Sequence, residues 1–311
     1  MSISKQKFYQ EATPLGIGNT PLIPYEEDFD ADIYVKDESQ NASGSVKDRS
    51  ALAMILQAEE DGVLHKGDTI VEATSGNMGI SLAYIGVKRG YKVLLTMPDT
   101  MSVERRQLLQ GLGAQLVLTE GNLGMRGAIE QAEVFGREHG HVLIRQFQNK
   151  ANVLAHYLST ADEIVSDLPK IDYFVAGVGT GGTLIGTAKR LKEINTDIKI
   201  VAVEPASSPA ITKGTSGAHQ IQGIGAGFVT DLYDASLVDN VQTVTDDEAL
   251  DMFYTLNLKQ GYCCGISSAA NIVVAVRLAQ AEENKGKNIV TLFADGDDRY
   301  FSLLEQQRHK K

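Results

Sequence analysis

The chain has few cysteines, no long apolar segment and no excess of positive charge. Only Cys263 and Cys264 are cysteines among 311 residues, and two adjacent thiols cannot form a disulfide framework. We expect both to be reduced thiols, which favours a cytoplasmic protein. The chain has no apolar run of about 18 residues or more and its start lacks the apolar core of a signal peptide, so we expect no membrane association.

The balance of charge is acidic. The chain has 29 lysines and arginines against 40 aspartates and glutamates, a formal net charge of −11. Because a nucleic-acid surface needs a basic footprint, this balance argues against a nucleic-acid partner. Hydrophobic residues make up 43% of the chain, which is enough to bury the core of one large or two medium domains.

Short β-rich segments alternate with amphipathic helical segments through most of the chain. Strands are predicted at 69–71, 92–97, 114–118, 142–146, 173–176, 199–203 and 288–293. Helices are predicted at 78–89, 103–112, 123–138, 152–167, 183–194, 246–260 and 267–283. This alternation is typical of an α/β protein whose mostly parallel sheets are covered by helices on both faces. Two such sets, divided near residues 147–152, predict two domains with a cleft between them.

Lys47 lies in the segment Asn-Ala-Ser-Gly-Ser-Val-Lys-Asp-Arg, at the start of a predicted helix that ends near Gly62. Ser43 and Ser45 are candidate N-caps for this helix. A lysine in the first turn is unfavourable for the helix dipole, which indicates that it has another role. A lysine amine can hold an aldehyde as a Schiff base. The alternative is an ordinary solvated helix face.

Two further turns join a predicted strand to a predicted helix, and both suit an anion because backbone N–H groups converge there. The first is Thr74-Ser75-Gly76-Asn77, for which an ordinary capped turn is the alternative. The second runs from Gly177 to Thr183 and is rich in glycine and threonine. It is also compatible with a dinucleotide site in which Glu204 would bind the ribose.

Together these three segments resemble the fold type II pyridoxal phosphate (PLP) enzymes, and within them the O-acetylserine sulfhydrylase and cystathionine β-synthase family. The resemblance extends from Gly18-Asn19-Thr20-Pro21-Leu22 to Asp298-Arg299-Tyr300. It implies two α/β domains similar to the tryptophan synthase β-subunit. The smaller domain would comprise residues 35–147, and the larger would comprise 13–34 and 148–311.

The resemblance also implies roles for individual residues. Lys47 would hold PLP covalently and serve as the catalytic base. The other cofactor-binding residues would be Asn77 at the ring hydroxyl, Ser267 at the ring nitrogen, and Gly179, Thr180, Gly181, Gly182 and Thr183 at the phosphate. The substrate would be bound by Thr74, Ser75, Asn77, Met78, Gln146 and Gly223. No metal is implied.

The chain departs from the family pattern at three places. Met78 stands where threonine is usual, which removes a hydroxyl but leaves a backbone N–H for a carboxylate. The turn Ala294-Asp295-Gly296-Asp297-Asp298 replaces a more usual turn with serine and glutamate. Ala269 and Ala270 replace a segment with a glycine after the two serines.

The implied reaction is β-replacement on O-acetyl-L-serine with sulfide, which forms L-cysteine and acetate through an α-aminoacrylate intermediate. A serine facing the ring nitrogen suits β-elimination better than transamination, because it does not readily protonate the ring. The main alternative is condensation of serine or O-acetylserine with homocysteine, as in cystathionine β-synthases. A distant alternative is an NAD-dependent oxidoreductase. Threonine and serine dehydratases usually have phenylalanine before the lysine of this motif, so Val46 disfavours a dehydratase. The resemblance further implies a homodimer and binding of the serine acetyltransferase C-terminal tail.

Overall fold

The computed structural model describes residues 3–308, apart from the side chains of residues 104 and 306–308. It is an α/β protein with two sheets, as predicted. Among the described residues, no helix combines the length and the apolar character needed to cross a membrane.

The larger sheet has six strands. In chain order they are β1 (Leu22–Pro24), β2 (Asp32–Asp37), β7 (Tyr173–Gly177), β8 (Lys199–Pro205), β9 (Asn240–Val244) and β10 (Asn288–Phe293). Their order across the sheet is β1-β2-β10-β7-β8-β9. Only β1 pairs antiparallel with its neighbour, and the other pairs are parallel. Strand β8 is buried along almost its whole length, as expected of a parallel strand covered on both faces.

The smaller sheet has four parallel strands in the order β5-β4-β3-β6. They are β3 (Thr69–Ala73), β4 (Lys92–Pro98), β5 (Gln115–Thr119) and β6 (Val142–Leu143). Strand β6 is shorter than predicted. Arg145 just beyond it has a positive φ of 55°, which turns the backbone away from extended geometry.

Helices cover both sheets. They are α1 (Lys5–Ala12), α2 (Lys47–Glu60), α3 (Asn77–Arg89), α4 (Val103–Gly111), α5 (Gly124–His139), α6 (Ala151–Leu158), α7 (Thr160–Asp167), α8 (Gly182–Ile194), α9 (Ala210–Lys213), α10 (Asp246–Thr255), α11 (Ile266–Ala279) and α12 (Phe301–Arg308). The single helix predicted at 152–167 is two helices, α6 and α7. The backbone leaves helical geometry at Ser159, with φ −130° and ψ −67°.

The segment before residue 38 takes part in both halves of the protein. Strands β1 and β2 lie in the larger sheet, whereas α1 contributes Phe8 and Ala12 to the apolar core that α2, α3 and α6 share. These strands were not predicted from periodicity, because β1 has three residues and β2 carries two aspartates. The division into domains 35–147 and 13–34 with 148–311 stays a prediction.

Several βα junctions bring the candidate residues to the carboxyl ends of the parallel strands. Helix α3 begins four residues after β3 ends, and α8 begins five residues after β7 ends. In open α/β sheets, ligands bind in the crevice beyond the carboxyl ends of the strands. The fold therefore places both glycine-containing turns where a ligand would be expected.

Candidate active site

Lys47 is the first residue of α2 and lines a cavity between the two sheets. Burial lowers the pKa of its amine to about 8, and the nearby carboxylate of Asp295 opposes this effect. The lowered pKa of Lys47 is caused by burial, which could not be predicted from the sequence. The prediction that Ser43 or Ser45 is the N-cap of α2 is wrong, because the N-cap is Val46. Ser45 lies one residue earlier and accepts a hydrogen bond from the Lys47 N–H at 3.3 Å. Ser43 bonds to the carboxylate of Asp48 instead.

The turn from Thr74 to Met78 forms the N-terminus of α3. The Thr74 hydroxyl accepts a hydrogen bond from the N–H of Gly76 at 3.3 Å, which holds the turn in shape. The first N–H groups of a helix have no partner within it and are available to an anion. The side chain of Met78 is buried in the apolar core, so this residue offers its backbone N–H to a ligand.

In the turn before α8, three glycines allow the backbone to pack closely against neighbouring atoms. Gly181 caps the helix with φ +88°, a conformation that strains residues other than glycine. A Cβ on Gly179 would lie 2.5 Å from the carbonyl oxygen of Gly223, and a Cβ on Gly182 would lie 2.1 Å from Oδ1 of Asn152. Positions 179, 181 and 182 of this turn therefore require glycine.

The hydroxyls of this turn are held by a buried polar network. The amide of Asn152 donates to the hydroxyl of Thr180 at 3.0 Å and to the carbonyl of Gln146 at 2.9 Å. The ring of His156 contacts the hydroxyl of Thr183 at 3.3 Å. Burial, followed by the charges of Arg49 and Lys47, lowers the pKa of His156 well below its usual value, so the ring is neutral.

Ser267 lies in the first turn of α11 on another wall of the cavity. The N-cap of this helix is Gly265, so Ser267 does not cap it. Gly223 lies opposite with φ +100°, and a Cβ there would come within 3.3 Å of the Ser267 hydroxyl oxygen. The glycine leaves the serine hydroxyl open to a ligand in the cavity.

The cavity gathers most of the predicted cofactor-binding residues. Its lining includes Lys47, Asn77, Gly179, Thr180, Gly181, Thr183, Gly223 and Ser267. Gly182 lies directly behind this lining at the start of α8. Of the remaining predicted residues, Thr74 and Ser75 lie just before Asn77, and Met78 follows it in the first turn of α3. The backbone carbonyl of Gln146 connects to Thr180 through the amide of Asn152.

These residues fit PLP chemically. A phosphate needs several donors, and the start of α8 supplies N–H groups and two threonine hydroxyls. An aldehyde needs a neutral amine, and Lys47 has a lowered pKa. The buried Oδ1 of Asn271 lines the same cavity and has no hydrogen-bond partner among the described residues, as expected of a site shaped for a polar ligand.

The sequence interpretation missed two polar residues of this site, Asn271 and Asp295, and a third, Glu72, that lies beside it. Asn271 follows Ser267 by four residues and therefore shares its helix face, a signal that periodicity could have provided. Asp295 receives a hydrogen bond from Asn77, and its position was noticed only as a departure from the family pattern. Glu72 is buried beneath Gln146, and burial raises its pKa to about 7 against the opposing hydrogen bonds of Arg145 and Gln146.

The dinucleotide alternative assigned Glu204 to a ribose. Its carboxylate instead accepts hydrogen bonds from the N–H groups of Ile211 and Thr212, at 2.8 and 3.1 Å, and from the Thr212 hydroxyl. The residue is 1% exposed. Glu204 therefore holds the start of α9, and this geometry favours a structural role for it.

Comparison with known proteins agrees with this geometry. The family model described as "Pyridoxal-phosphate dependent enzyme" matches residues 13–295. A cysteine synthase from Staphylococcus aureus is 46% identical over 291 residues, which cover 92% of this chain and 94% of that protein.

Solved structures show the same similarity. The crystal structure of a cysteine synthase from Entamoeba histolytica superposes with a TM-score of 0.89 at 41% identity, covering 92% of this chain and 88% of that one. A hydrogen sulfide-producing enzyme from Fusobacterium nucleatum superposes with a TM-score of 0.87 at 44% identity, covering 93% and 98%.

Proposed function

The chain belongs to the family of pyridoxal-phosphate-dependent enzymes, and from this premise we propose that it is an O-acetylserine sulfhydrylase, a cysteine synthase. It replaces the acetoxy group of O-acetyl-L-serine with sulfide and releases L-cysteine and acetate. The observation that carries the proposal is the buried amine of Lys47 facing a glycine- and threonine-rich helix N-terminus across one cavity. The identity of 46% to a cysteine synthase over most of the chain supports the choice of reaction.

The proposed site residues hold the cofactor at three points. Lys47 binds it covalently, the turn from Gly179 to Thr183 binds its phosphate, and Asn77 donates to its ring hydroxyl. Ser267 faces the ring nitrogen, and because a serine hydroxyl is a poor acid, the nitrogen stays largely neutral. When bound, PLP supplies an electron sink for negative charge at the substrate α-carbon.

The proton transfers are assigned to Lys47. A pKa of about 8 makes the free amine roughly 300-fold more abundant at pH 7 than it would be in an exposed lysine. The amine can therefore remove the α-proton of the substrate and return it once sulfide has added. The transfers need no second base.

The substrate carboxylate is assigned to the N-terminus of α3. Thr74, Ser75 and the N–H groups of Asn77 and Met78 lie there, and Gln146 hydrogen-bonds to Glu72, two residues before Thr74. A carboxylate at this position also benefits from the helix dipole. Its capture would draw the proposed smaller domain over the cavity and exclude water.

The deciding experiment compares nucleophiles on one purified sample. Cysteine formation from O-acetylserine and sulfide should be much faster than cystathionine formation from homocysteine with serine or O-acetylserine. Lys47→Ala should abolish both the visible absorbance of the bound cofactor and turnover, whereas Lys213→Ala, at an exposed lysine, should change neither. Faster turnover with homocysteine would contradict the proposed nucleophile, and wild-type turnover by Lys47→Ala would contradict the assignment of the site.

A second candidate function is release of hydrogen sulfide from cysteine. Its support is the hydrogen sulfide-producing enzyme from Fusobacterium nucleatum, which is 44% identical over almost its whole length. The same active-site groups would remove the α-proton and expel the thiol. Incubation of the enzyme with L-cysteine alone, followed by measurement of sulfide, separates the two, because a sulfhydrylase should release sulfide far more slowly than it consumes it.

We also propose two partners and a location. The partners are a second copy of the chain and the C-terminal tail of serine acetyltransferase, whose carboxylate would occupy the site for the substrate carboxylate. Sedimentation would measure the dimer, and a tail peptide should compete with O-acetylserine. The proposed location is the cytoplasm, because Cys263 and Cys264 are free thiols and sulfide stays reduced there.

A further inference from the structure

Asp295, two residues after the end of β10, places a buried carboxylate beside the cofactor cavity. The residue is 2% exposed. Its Oδ2 accepts hydrogen bonds from Nδ2 of Asn77 at 2.8 Å and from the hydroxyl of Tyr300 at 3.1 Å. Its Oδ1 has no hydrogen-bond partner among the described residues and lies against Gly265, where a Cβ would come within 2.1 Å. The carboxylate therefore fits only because residue 265 has no side chain.

The backbone around Asp295 is joined directly to the segment that carries Lys47. The N–H of Val46 donates to the carbonyl of Ala294 at 2.8 Å, and Ser45 and Asp295 form an isolated β-bridge. The guanidinium of Arg299 donates to the carbonyl of Gly44 at 2.9 Å. The carboxylate is therefore held at a fixed position relative to both Lys47 and Asn77.

The hydrogen bond between Asn77 and Asp295 determines which way the Asn77 amide faces. An asparagine amide has two N–H donors and one acceptor oxygen, and here Oδ2 of Asp295 accepts from the amide nitrogen. Asp295 therefore selects the NH₂ group of Asn77 and engages one of its hydrogens. Asn77 itself lines the cavity, so its second N–H remains for an oxygen atom there.

We propose that Asp295 is a positioning residue for the cofactor: its carboxylate orients the amide of Asn77 so that one N–H donates to the ring oxygen of PLP. The inference rests on the part of the proposed function that assigns Asn77 to that oxygen. It does not depend on which nucleophile the enzyme uses. The residue acts through Asn77 and does not touch the reacting atoms.

The surroundings of Asp295 have opposing effects on the pKa of its carboxyl group. Burial raises the pKa of Asp295, while the hydrogen bonds of Asn77 and Tyr300 and the charge of Arg299 oppose the rise and Asp298 adds to it. Lys47 and the buried thiol of Cys264 also face this carboxylate. A carboxylate in such a place is retained at a cost, which is consistent with a specific role for it.

The test measures cofactor binding in a double-mutant cycle. Apoprotein is titrated with PLP, and the visible absorbance of the bound cofactor gives both its affinity and its spectrum. Asp295→Ala should weaken binding about tenfold, the effect of one lost hydrogen bond, and should shift the absorbance band. In an Asn77→Ala background the same substitution should have almost no further effect, because nothing remains to be oriented.

Two further variants control for structural damage. Asp295→Asn keeps an acceptor oxygen for Asn77 and should restore affinity to within about threefold of the wild type. Asp298→Asn, at a side chain that is 65% exposed, should leave affinity and spectrum unchanged. Thermal unfolding of each apoprotein identifies any variant that fails to fold. If Asp295→Ala fails to fold, the PLP affinity of Asp295→Asn, with and without Asn77, is compared with that of the wild type instead.

Two results would overturn the inference. One is an equal loss of affinity from Asp295→Ala with and without Asn77, and the other is wild-type affinity and spectrum in Asp295→Ala. Neither measurement uses an amino-acid substrate. Failure to make cysteine would therefore contradict the proposed function and leave this inference standing.

Discussion

At the scale of single residues, Lys47 is the group whose chemistry depends most on its surroundings. Burial lowers the pKa of its amine to about 8, so the neutral form that attacks an aldehyde increases as the pH rises through that value. We expect the rate at which apoprotein binds PLP covalently to rise between about pH 6.5 and 9, with a midpoint near 8. Stopped-flow absorbance would measure it, with N-acetyl-lysine as the control. A rate that still rises at pH 10, as for that free amine, would contradict a buried Lys47.

Met78 is a departure from the family pattern whose side chain lies in the apolar core. Because this side chain packs in the core and only the backbone N–H faces a ligand, Met78→Thr should leave the ratio of sulfide-dependent to homocysteine-dependent turnover unchanged. The same change should destabilise the protein by about 1–3 kcal/mol, because it leaves a smaller, polar side chain in the core. Steady-state kinetics and chemical unfolding measure the two effects. A change in the ratio of about three- to tenfold would contradict this, because it would show that the side chain at position 78 contacts the substrate.

At the scale of elements, the turn before α8 depends on glycine conformation. Gly181→Ala should strain the backbone at φ +88° and weaken PLP binding about tenfold, without creating affinity for NAD. Gly62→Ala is the matched control, since Gly62 has φ +67°, open space around it and a position just beyond the C-terminal end of α2. It should cost comparable stability and leave PLP binding intact. Equal effects of both variants on PLP affinity, or tight NAD binding by the wild type, would exclude the phosphate role.

The strand–turn–helix units could be predicted from the sequence, whereas some element boundaries could not. The turns at Thr74–Asn77 and Gly179–Thr183 follow apolar strands and open amphipathic helices, so their local pattern is sufficient. The break at Ser159 has no such signal. Its hydroxyl bonds to the carbonyl of Ala155, and the break lets α6 and α7 pack on different neighbours.

At the scale of the whole molecule, a buried ion-pair network ties the start of α2 to the larger sheet. Arg49 donates to Glu38 at 2.6 Å and to Glu163 at 2.7 Å, and Lys36 lies 3.0 Å from Glu163. Burial alone would raise the pKa of Glu163, but the hydrogen bonds and charge of Arg49, and then Lys36, hold it well below its usual value. A carboxylate with a lowered pKa stabilises the folded state near neutral pH, and this contribution is lost as the pH falls.

Arg49→Met should therefore lower the free energy of unfolding by about 3–5 kcal/mol at pH 7, because it leaves the buried Glu38 without a cation and Glu163 with Lys36 alone. The difference from the wild type should shrink below about pH 4, where carboxylates become protonated. Urea unfolding across this pH range measures it. Arg190→Met, which removes a part-exposed pair with Asp162, is the control and should cost no more than about 1 kcal/mol. Equal losses from both variants would show that burial of the network contributes nothing.

Local patterns along the chain were enough to predict the α/β class, the two glycine-containing turns and the lysine at the start of a helix. Each depends on neighbouring residues, whose periodicity and turn chemistry are readable locally. The hydrogen bond between Asp295 and Asn77, which are 218 positions apart in the chain, exists only in the folded protein. Folding also buries Lys47, which lowers the pKa of its amine to about 8. These features arise from contacts between distant segments, which no local pattern of side chains specifies.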